Sequence, residues 1–202
     1  IGGPARWIAT HSGAEVTGID LTPDFTQAAE ILNEATGLGN RVRIVCGSAL
    51  ELPFDDASFD RAYSQNVVMN VADKTRFYAE ARRVLKPGGI LVLSNIARGT
   101  GAEPVYPTPW AATAATSFLS TPQETRREVE AAGLAICSFR DTTADGRAMQ
   151  DAMARRLATD GLPKLGAHLI LGERMREYQL NSIRNTSEGR TLTLEIVAKR
   201  PA

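Results

Sequence analysis

The stretch "EVTGIDLTPDF", residues 15–25, ends an apolar strand on a carboxylate. Gly18 and Ile19 are typical of a covered parallel strand, whereas Asp20 stands where the strand would leave its sheet. Two interpretations of Asp20 are open at this point. In the first, Asp20 helps to cap a helix that begins at Thr22-Pro23, since all three residue types are favoured at helix starts. In the second, Asp20 contacts a ligand, because open α/β sheets bind ligands at the carboxyl ends of their strands.

The rest of the chain alternates between strand-like and helix-like stretches. Short apolar runs predict strands, and apolar residues spaced at 3.6 positions predict helices. The predicted strands are residues 15–20, 41–47, 58–64, 90–97, 134–140 and 191–200, and the predicted helices are residues 3–11, 23–36, 73–86 and 121–133. Strands separated by helices of this length form βαβ units. The sequence therefore predicts an α/β fold, with a doubly wound and mostly parallel sheet, in a single domain over residues 1–202.

Two segments depart from this alternation. Residues 98–120 are rich in Gly, Pro, Thr and Ala and are too long to be a bare connector. Residues 144–189 insert helical material between the last two strands. We expect both segments to form a lid over a substrate.

The bulk composition excludes several classes of protein. Lys and Arg total 23, as do Asp and Glu, and the resulting net charge of zero argues against a nucleic-acid binder. No apolar run approaches the roughly 20 residues that cross a bilayer.

Cys46 and Cys137 lie in apolar runs, so we expect buried, inert thiols rather than a disulfide or a reactive thiol. This cysteine usage favours a cytoplasmic location. The sequence shows neither a Cys/His metal cluster nor a Ser/His/Asp triad.

The first residues, "IGGPARW", have the form of the end of a glycine-rich turn. Gly2 and Gly3, with Pro4 and a helix after them, are typical of the turn after a strand whose backbone approaches a ligand closely. We therefore expect a further strand and at least one more glycine before Ile1.

Five stretches in this order carry a resemblance to a known family: "GGPARW" (2–7), "VTGIDLTP" (16–23), "VRIVCGSALELPFDDASFD" (42–60), "RAYSQNVVMN" (61–70) and "RRVLKPGGILVLSN" (82–95). Together they resemble the class I S-adenosylmethionine-dependent methyltransferases, closely over residues 1–97. The chain is most similar to the small-molecule branch that includes enzymes of ubiquinone/menaquinone, tocopherol and glycine-betaine pathways. The resemblance implies a Rossmann-like sheet of seven strands in the order 3-2-1-4-5-7-6, with the last strand antiparallel.

The resemblance also implies which residues bind the cofactor, S-adenosylmethionine. The acid that ends the second strand of the family, here Asp20, accepts hydrogen bonds from both ribose hydroxyls, a task that suits a group with two acceptor oxygens. Leu21 is expected against the adenine. The family commonly has an acid where Ser48 stands, so the Ser48 hydroxyl is a departure from the pattern. The full set of implied cofactor-binding residues is Gly2, Gly3, Asp20, Leu21, Gly47, Ser48, Ala49, Leu50, Ser64 and Gln65.

The residues expected on the side of the methyl acceptor come from three stretches. Asn66, Met69 and Asn70 come after the strand at 58–64, although Met69 is as readily explained as core filling. Tyr106 and Trp110 lie in "VYPTPW", and His168 lies in "LGAHLILG". His168 is a candidate general base because its unperturbed pKa is near neutrality, but a single His in an apolar stretch is more often a core residue. The acceptor-side rings would exclude water and stabilise positive charge, or would simply pack the added segments.

The expected reaction is methyl transfer from S-adenosylmethionine to a small-molecule acceptor by in-line displacement. The protein mainly positions the reactants, which accounts for roughly 7–11 kcal/mol of barrier. No dedicated catalytic residue and no metal are therefore assigned. Two alternatives stay open, namely a nicotinamide-dependent oxidoreductase and a non-catalytic module that binds S-adenosylmethionine. The sequence leaves open the identity of the acceptor and whether the protein is a homodimer.

Overall fold

The alternation of strands and helices that the sequence predicts is present in the computed structural model, which describes residues 1–160, 164, 166, 169 and 172–202. The chain divides into an N-terminal unit, Ile1–Asp55, and a C-terminal unit, Asp56–Ala202. Each unit contains its own sheet. The α/β class is thereby confirmed.

The N-terminal unit is a two-stranded parallel sheet with two helices. Strands β1 (Val16–Asp20) and β2 (Val42–Cys46) pair in parallel, with Asp20 opposite Cys46. Helices α1 (Gly3–Ser12) and α2 (Pro23–Ala35) pack on this sheet around a small core of Ala9, Ala29, Val42 and Ile44. An added Cβ at Gly18 of β1 would lie 2.6 Å from Ile44 Cδ1, so a side chain there would displace the end of the Ile44 side chain.

The C-terminal unit contains a mixed sheet of four strands. They are β3 (Phe59–Gln65), β4 (Leu85–Arg98), β5 (Ala135–Asp141) and β6 (Thr191–Lys199), in the spatial order β3-β4-β6-β5. Strands β3 and β4 are parallel, and β6 runs antiparallel to both β4 and β5. The pairing confirms the prediction that the last strand is antiparallel.

Among the residues that the structure describes, four α-helices lie between these strands: α3 (Lys74–Val84), α4 (Pro122–Ala131), α5 (Thr143–Asp160) and α6 (Met175–Ser187). Alternate residues of β4, among them Leu91 and Leu93, are almost fully buried, as are Tyr78 of α3 and Val129 of α4. Helix α4 begins with a capping box in which Thr121 and Glu124 exchange hydrogen bonds. The described residues contain no helix long and apolar enough to span a membrane.

The structure differs from the sequence expectations in three respects. The predicted sheet of seven strands is not confirmed, because the described residues form one sheet of two strands and one sheet of four strands. The predicted helix 73–86 ends at Val84, because Leu85 pairs with Phe59 as the first residue of β4. The prediction of buried cysteines is wrong: Cys46 and Cys137 are both exposed, free thiols. Cys46 ends its strand, and Cys137 lies at a register shift in the outermost strand of its sheet.

Candidate cofactor and acceptor site

Asp20 lies at the carboxyl end of β1, with one carboxylate oxygen in use. Its Oδ1 accepts a hydrogen bond from the Thr22 N–H at 2.9 Å. Thr22 is the residue that caps α2, so Asp20 stabilises the turn before the helix rather than the free N–H groups of the helix itself. Among the described residues, no group donates a hydrogen bond to Oδ2 of Asp20. The cap interpretation therefore accounts for only half of the carboxylate.

The residue after Asp20 is apolar and yet exposed to solvent. The Leu21 side chain is 74% exposed, immediately beside the half-buried Asp20. An apolar surface next to a carboxylate with an available oxygen suits a ligand that carries both hydroxyls and a flat apolar ring. The pair thus has the chemistry expected for a nucleoside.

The turn after β2 contacts the end of β1 through the backbone. The Gly47 N–H donates to the Asp20 carbonyl at 2.9 Å, and an added Cβ at Gly47 would lie 3.1 Å from Ile19 Cδ1. The Ser48 Oγ accepts the Leu50 N–H at 3.1 Å, and Ala49 lies between them in the turn. One acceptor position of the Ser48 hydroxyl is therefore used inside the turn, while its proton stays available for another acceptor.

Gly2 has the left-handed conformation that the glycine-turn prediction requires. Its φ is 71°, it caps α1, and an added Cβ would lie 3.1 Å from Arg6 Nη1. Such a backbone conformation is rare for residues with a side chain. Gly3, the first residue of α1, has open space around it, so no close approach within the chain requires a glycine there.

In the C-terminal unit, the end of β3 combines a buried hydroxyl with a strained backbone. The Ser64 Oγ is buried and, among the described residues, has no hydrogen-bond partner. Gln65 and Asn66 are exposed, and Asn66 has φ 54° while its N–H donates to the Ser94 carbonyl at 2.8 Å. Asn tolerates this left-handed region better than most residues, and such strain is concentrated at functional sites.

The next residues along the chain, 66–71, are called the post-β3 segment. Met69 is 2% exposed within it, which favours core filling over contact with an acceptor. Asn70 is exposed, and its Nδ2 donates to the Trp110 carbonyl at 2.5 Å. The structure therefore brings Asn70 and Trp110 together, as expected for residues of one site, while the acceptor role of Met69 stays a prediction without support from its burial.

Tyr106 and Trp110 lie in residues 99–120, which we call the long loop. Both are half-buried, and the Trp110 indole N–H donates to the Ser117 Oγ at 3.0 Å. The peptide bond between Tyr106 and Pro107 is cis. His168, the third acceptor-side candidate, lies outside the described residues.

Sequence reasoning missed two asparagines that anchor the long loop to α6. Asn185 is fully buried, accepts the Val105 N–H at 2.7 Å and donates to the Val105 carbonyl at 2.9 Å. One turn earlier, the Asn181 amide donates to the Pro107 carbonyl at 2.9 Å. These contacts fix the backbone on both sides of Tyr106. In the sequence, two Asn residues at i and i+4 indicate that both side chains lie on one face of the helix. This spacing does not indicate which segment they contact.

The described residues contain no group of three or more His, Cys, Asp or Glu side chains that is arranged to hold a metal ion. The strand order within each sheet and the position of Asp20 at a strand end fit an α/β fold that binds its ligand at the carboxyl ends of the strands. Residues 1–93 match the family described as "Methyltransferase domain".

Known proteins resemble the chain to different extents. A 24-methylenesterol C-methyltransferase of Oryza sativa subsp. japonica is 45% identical over 92 residues, which are 46% of this chain and 25% of that protein. The chain thus spans about a quarter of the length of this relative. The solved structure of geranyl diphosphate C-methyltransferase from Streptomyces coelicolor, with S-adenosyl-L-homocysteine bound, has a TM-score of 0.76 at 20% identity and covers 98% of this chain and 67% of that one. The [4+2]-cyclase SpnF has a TM-score of 0.75 at 23% identity, with coverage of 100% and 72%. These two structural likenesses show the fold.

Proposed function

We propose that the protein transfers a methyl group from S-adenosylmethionine to a small-molecule acceptor. The observation that carries this proposal is Asp20, whose Oδ2 is available at the carboxyl end of β1 beside the exposed Leu21. The strand pattern leaves a ligand contact open at this position beside the cap interpretation, and the family resemblance implies the ligand contact. S-adenosylmethionine, when bound, supplies a methyl group that is already activated on a sulfonium sulfur.

The residues of the N-terminal unit fit the nucleoside part of this cofactor. Asp20 accepts hydrogen bonds from the ribose hydroxyls, and Leu21, Ala49 and Leu50 supply apolar surface for the adenine. Gly2 and Gly47 keep the backbone free of side chains where it turns. The Ser48 O–H takes the place of the carboxylate that the family commonly has, and we propose that it donates to the adenine ring.

The residues of the C-terminal unit take the methionine part and the acceptor. We propose that the backbone of Ser64 and Gln65 binds the methionine part, and that the buried Ser64 Oγ, which lacks a partner among the described atoms, hydrogen-bonds to it. Asn66, Asn70, Tyr106 and Trp110 enclose the acceptor and exclude water. The long loop and residues 144–189 form the lid in this proposal, which is supported by the hydrogen bonds of Asn181 and Asn185 to the loop.

The chain's contribution to the reaction is positioning. No side chain is assigned to move a proton, because a thiolate, phenolate, stabilised carbanion or amine attacks a methyl sulfonium directly, and a methylated amine can release its proton to water. Holding the reactants in line accounts for roughly 7–11 kcal/mol of barrier. The Oryza sativa relative is a methylenesterol C-methyltransferase, and we propose an acceptor of comparable small size rather than a nucleic acid.

Three further expectations belong to this proposal. Residues 1–202 act as one methyltransferase domain, and the sheet has the seven-strand order 3-2-1-4-5-7-6, which is supported by the pairings β1-β2 and β3-β4-β6-β5. A cytoplasmic location is consistent with the lack of a spanning helix among the described residues. Formation of a homodimer stays open.

The test is a screen of the full-length protein with S-adenosylmethionine that carries a tritiated methyl group. Sterols, prenyl diphosphates, macrolides and small amines are offered as acceptors, and products are identified by mass. We expect one class to gain a methyl group, with S-adenosylhomocysteine formed in equal amount. The same fold is found in a [4+2]-cyclase. A product with the same mass as its substrate, and no methyl group gained, would therefore contradict the proposal of methyl transfer.

A further inference from the structure

A buried lysine joins the long loop to the post-β3 segment. Lys74, the first residue of α3, is 8% exposed, and its Nζ donates to the carbonyls of Val68 at 3.2 Å, Val71 at 2.8 Å and Phe118 at 2.5 Å. An ammonium group has three N–H donors, so each donor has its own acceptor. Two acceptors belong to the post-β3 segment and the third to the long loop. A single cation therefore bridges two segments that are more than 40 residues apart in sequence.

Burying the charge of Lys74 costs free energy, so the ammonium group is expected to contribute something that an apolar side chain would not. Burial lowers the pKa of Lys74, and the carboxylate of Glu128 on α4 opposes that shift. The Glu128 Oε1 accepts the Ser120 hydroxyl at 2.7 Å, while its Oε2 is buried without a partner among the described atoms. A buried charge is expensive unless it is paired and hydrogen-bonded, and an apolar residue of similar size would pack here at lower cost. The bridge between the two segments is what the cation adds.

We propose that Lys74 is a positioning residue, whose ammonium holds the long loop with Tyr106 and Trp110 on the post-β3 segment. This inference rests on the proposed function, because it assigns the two segments to the acceptor side. Lys74 acts through main-chain carbonyls and is not proposed to touch the reactants. A cleft beside Lys74 is open to solvent and is lined by residues 72–75, 118–120, Glu124 and Glu128.

Protonation of Lys74 then controls how firmly the loop is held. The neutral amine has two N–H donors, so one of the three carbonyls loses its hydrogen bond at alkaline pH. The charged groups that face Lys74 across the cleft are the carboxylates of Asp73, Glu124 and Glu128. Burial raises the pKa of the Tyr78 hydroxyl, so this residue of α3 stays neutral.

The first experiment compares Lys74→Met with Lys86→Met, a matched change at an exposed lysine paired with Asp60. Hydrogen exchange of the Phe118 amide reports on the loop directly, because this N–H donates to the Met69 carbonyl at 2.7 Å. Loss of a hydrogen bond to a charged group predicts exchange about tenfold or more faster in Lys74→Met and unchanged in Lys86→Met. Acrylamide quenching of Trp110, in a Trp7→Phe background, should rise in parallel. Wild-type exchange and quenching in a folded Lys74→Met would overturn the proposal.

A second measurement keeps the proposal falsifiable if Lys74→Met does not fold. Nitrogen-15 NMR of the wild-type protein follows the Lys74 Nζ and the Phe118 amide from pH 7 to the alkaline limit of stability. A shared titration midpoint supports the bridge, whereas a Phe118 amide that does not respond as Nζ titrates overturns it. Neither readout depends on methyl transfer, so a failed acceptor screen and a failed Lys74 proposal are distinguishable.

Discussion

Replacing Asp20 by Ala removes both carboxylate oxygens from the end of β1. Within the protein the change costs one hydrogen bond, from the Thr22 N–H at 2.9 Å, and Thr22 is exposed so that water takes over. The free energy of unfolding should therefore fall by less than about 1 kcal/mol. The bonds to the ribose hydroxyls are charge-assisted, and their loss should weaken S-adenosylmethionine binding by about 1.5–3 kcal/mol. That corresponds to a rise of about tenfold to 150-fold in Kd.

Titration calorimetry with S-adenosylmethionine measures this Kd, and urea unfolding measures stability on the same samples. Asp24→Ala is the matched control, because Asp24 is an exposed acid in the first turn of α2. The control should bind the cofactor as the wild type does. An unchanged Kd in Asp20→Ala, or an equal loss in both variants, would refute the ribose assignment and leave Asp20 as a residue that stabilises a turn.

Three more predictions concern the long loop and α4. Trp110→Ala should impair turnover of the true acceptor, measured by steady-state kinetics, with little change in the Kd of S-adenosylmethionine, measured by calorimetry. Weaker cofactor binding with unchanged acceptor turnover would show that the long loop has only a structural role. Asn185→Leu removes the side-chain amide that bonds to both the N–H and the carbonyl of Val105. The free energy of unfolding, measured by urea titration, should therefore fall by about 1–3 kcal/mol. Hydrogen bonds from Thr121 lower the pKa of Glu124 below 4.5, so its contribution is fully present above pH 4.5 and is lost as the pH falls through the lowered value. Urea unfolding from pH 7 to pH 3 should show a larger acid-dependent loss of stability in the wild type than in Glu124→Gln, which keeps the other carboxyl groups with lowered pKa values, Asp60 and Glu188.

Local sequence patterns are sufficient to predict most of the fold. The pattern predicts strand β1 at 15–20, and the strand forms at Val16–Asp20, because its apolar run is bounded by turn residues on both sides. The pattern also extends helix α3 to Lys86, but the end of this helix depends on the pairing of Leu85 with Phe59, a contact that no local pattern records. The exposure of Cys46 and Cys137 depends likewise on where a strand ends and which strand is outermost.

The sequence predicts those residues of the candidate site whose role depends on their position at the end of a strand or in a turn. The strand end identifies Asp20, and the glycine turn identifies Gly2. Sequence patterns do not identify Lys74 and Asn185, because each bonds to a distant backbone group, 44 residues away for Lys74 and 80 residues away for Asn185. Met69 can be assigned to the core or to the acceptor from sequence, and its burial in a short 3₁₀ turn favours the core.

Binding of S-adenosylmethionine through the end of β1 is the property on which the proposed methyl transfer depends. It is measured by calorimetric titration of the full-length protein with S-adenosylmethionine, S-adenosylhomocysteine and NAD. We expect saturable binding of the first two compounds, weakened together by Asp20→Ala, and no binding of NAD. Binding of NAD without binding of S-adenosylmethionine would exclude the methyltransferase proposal and turn the interpretation toward a nicotinamide-dependent oxidoreductase.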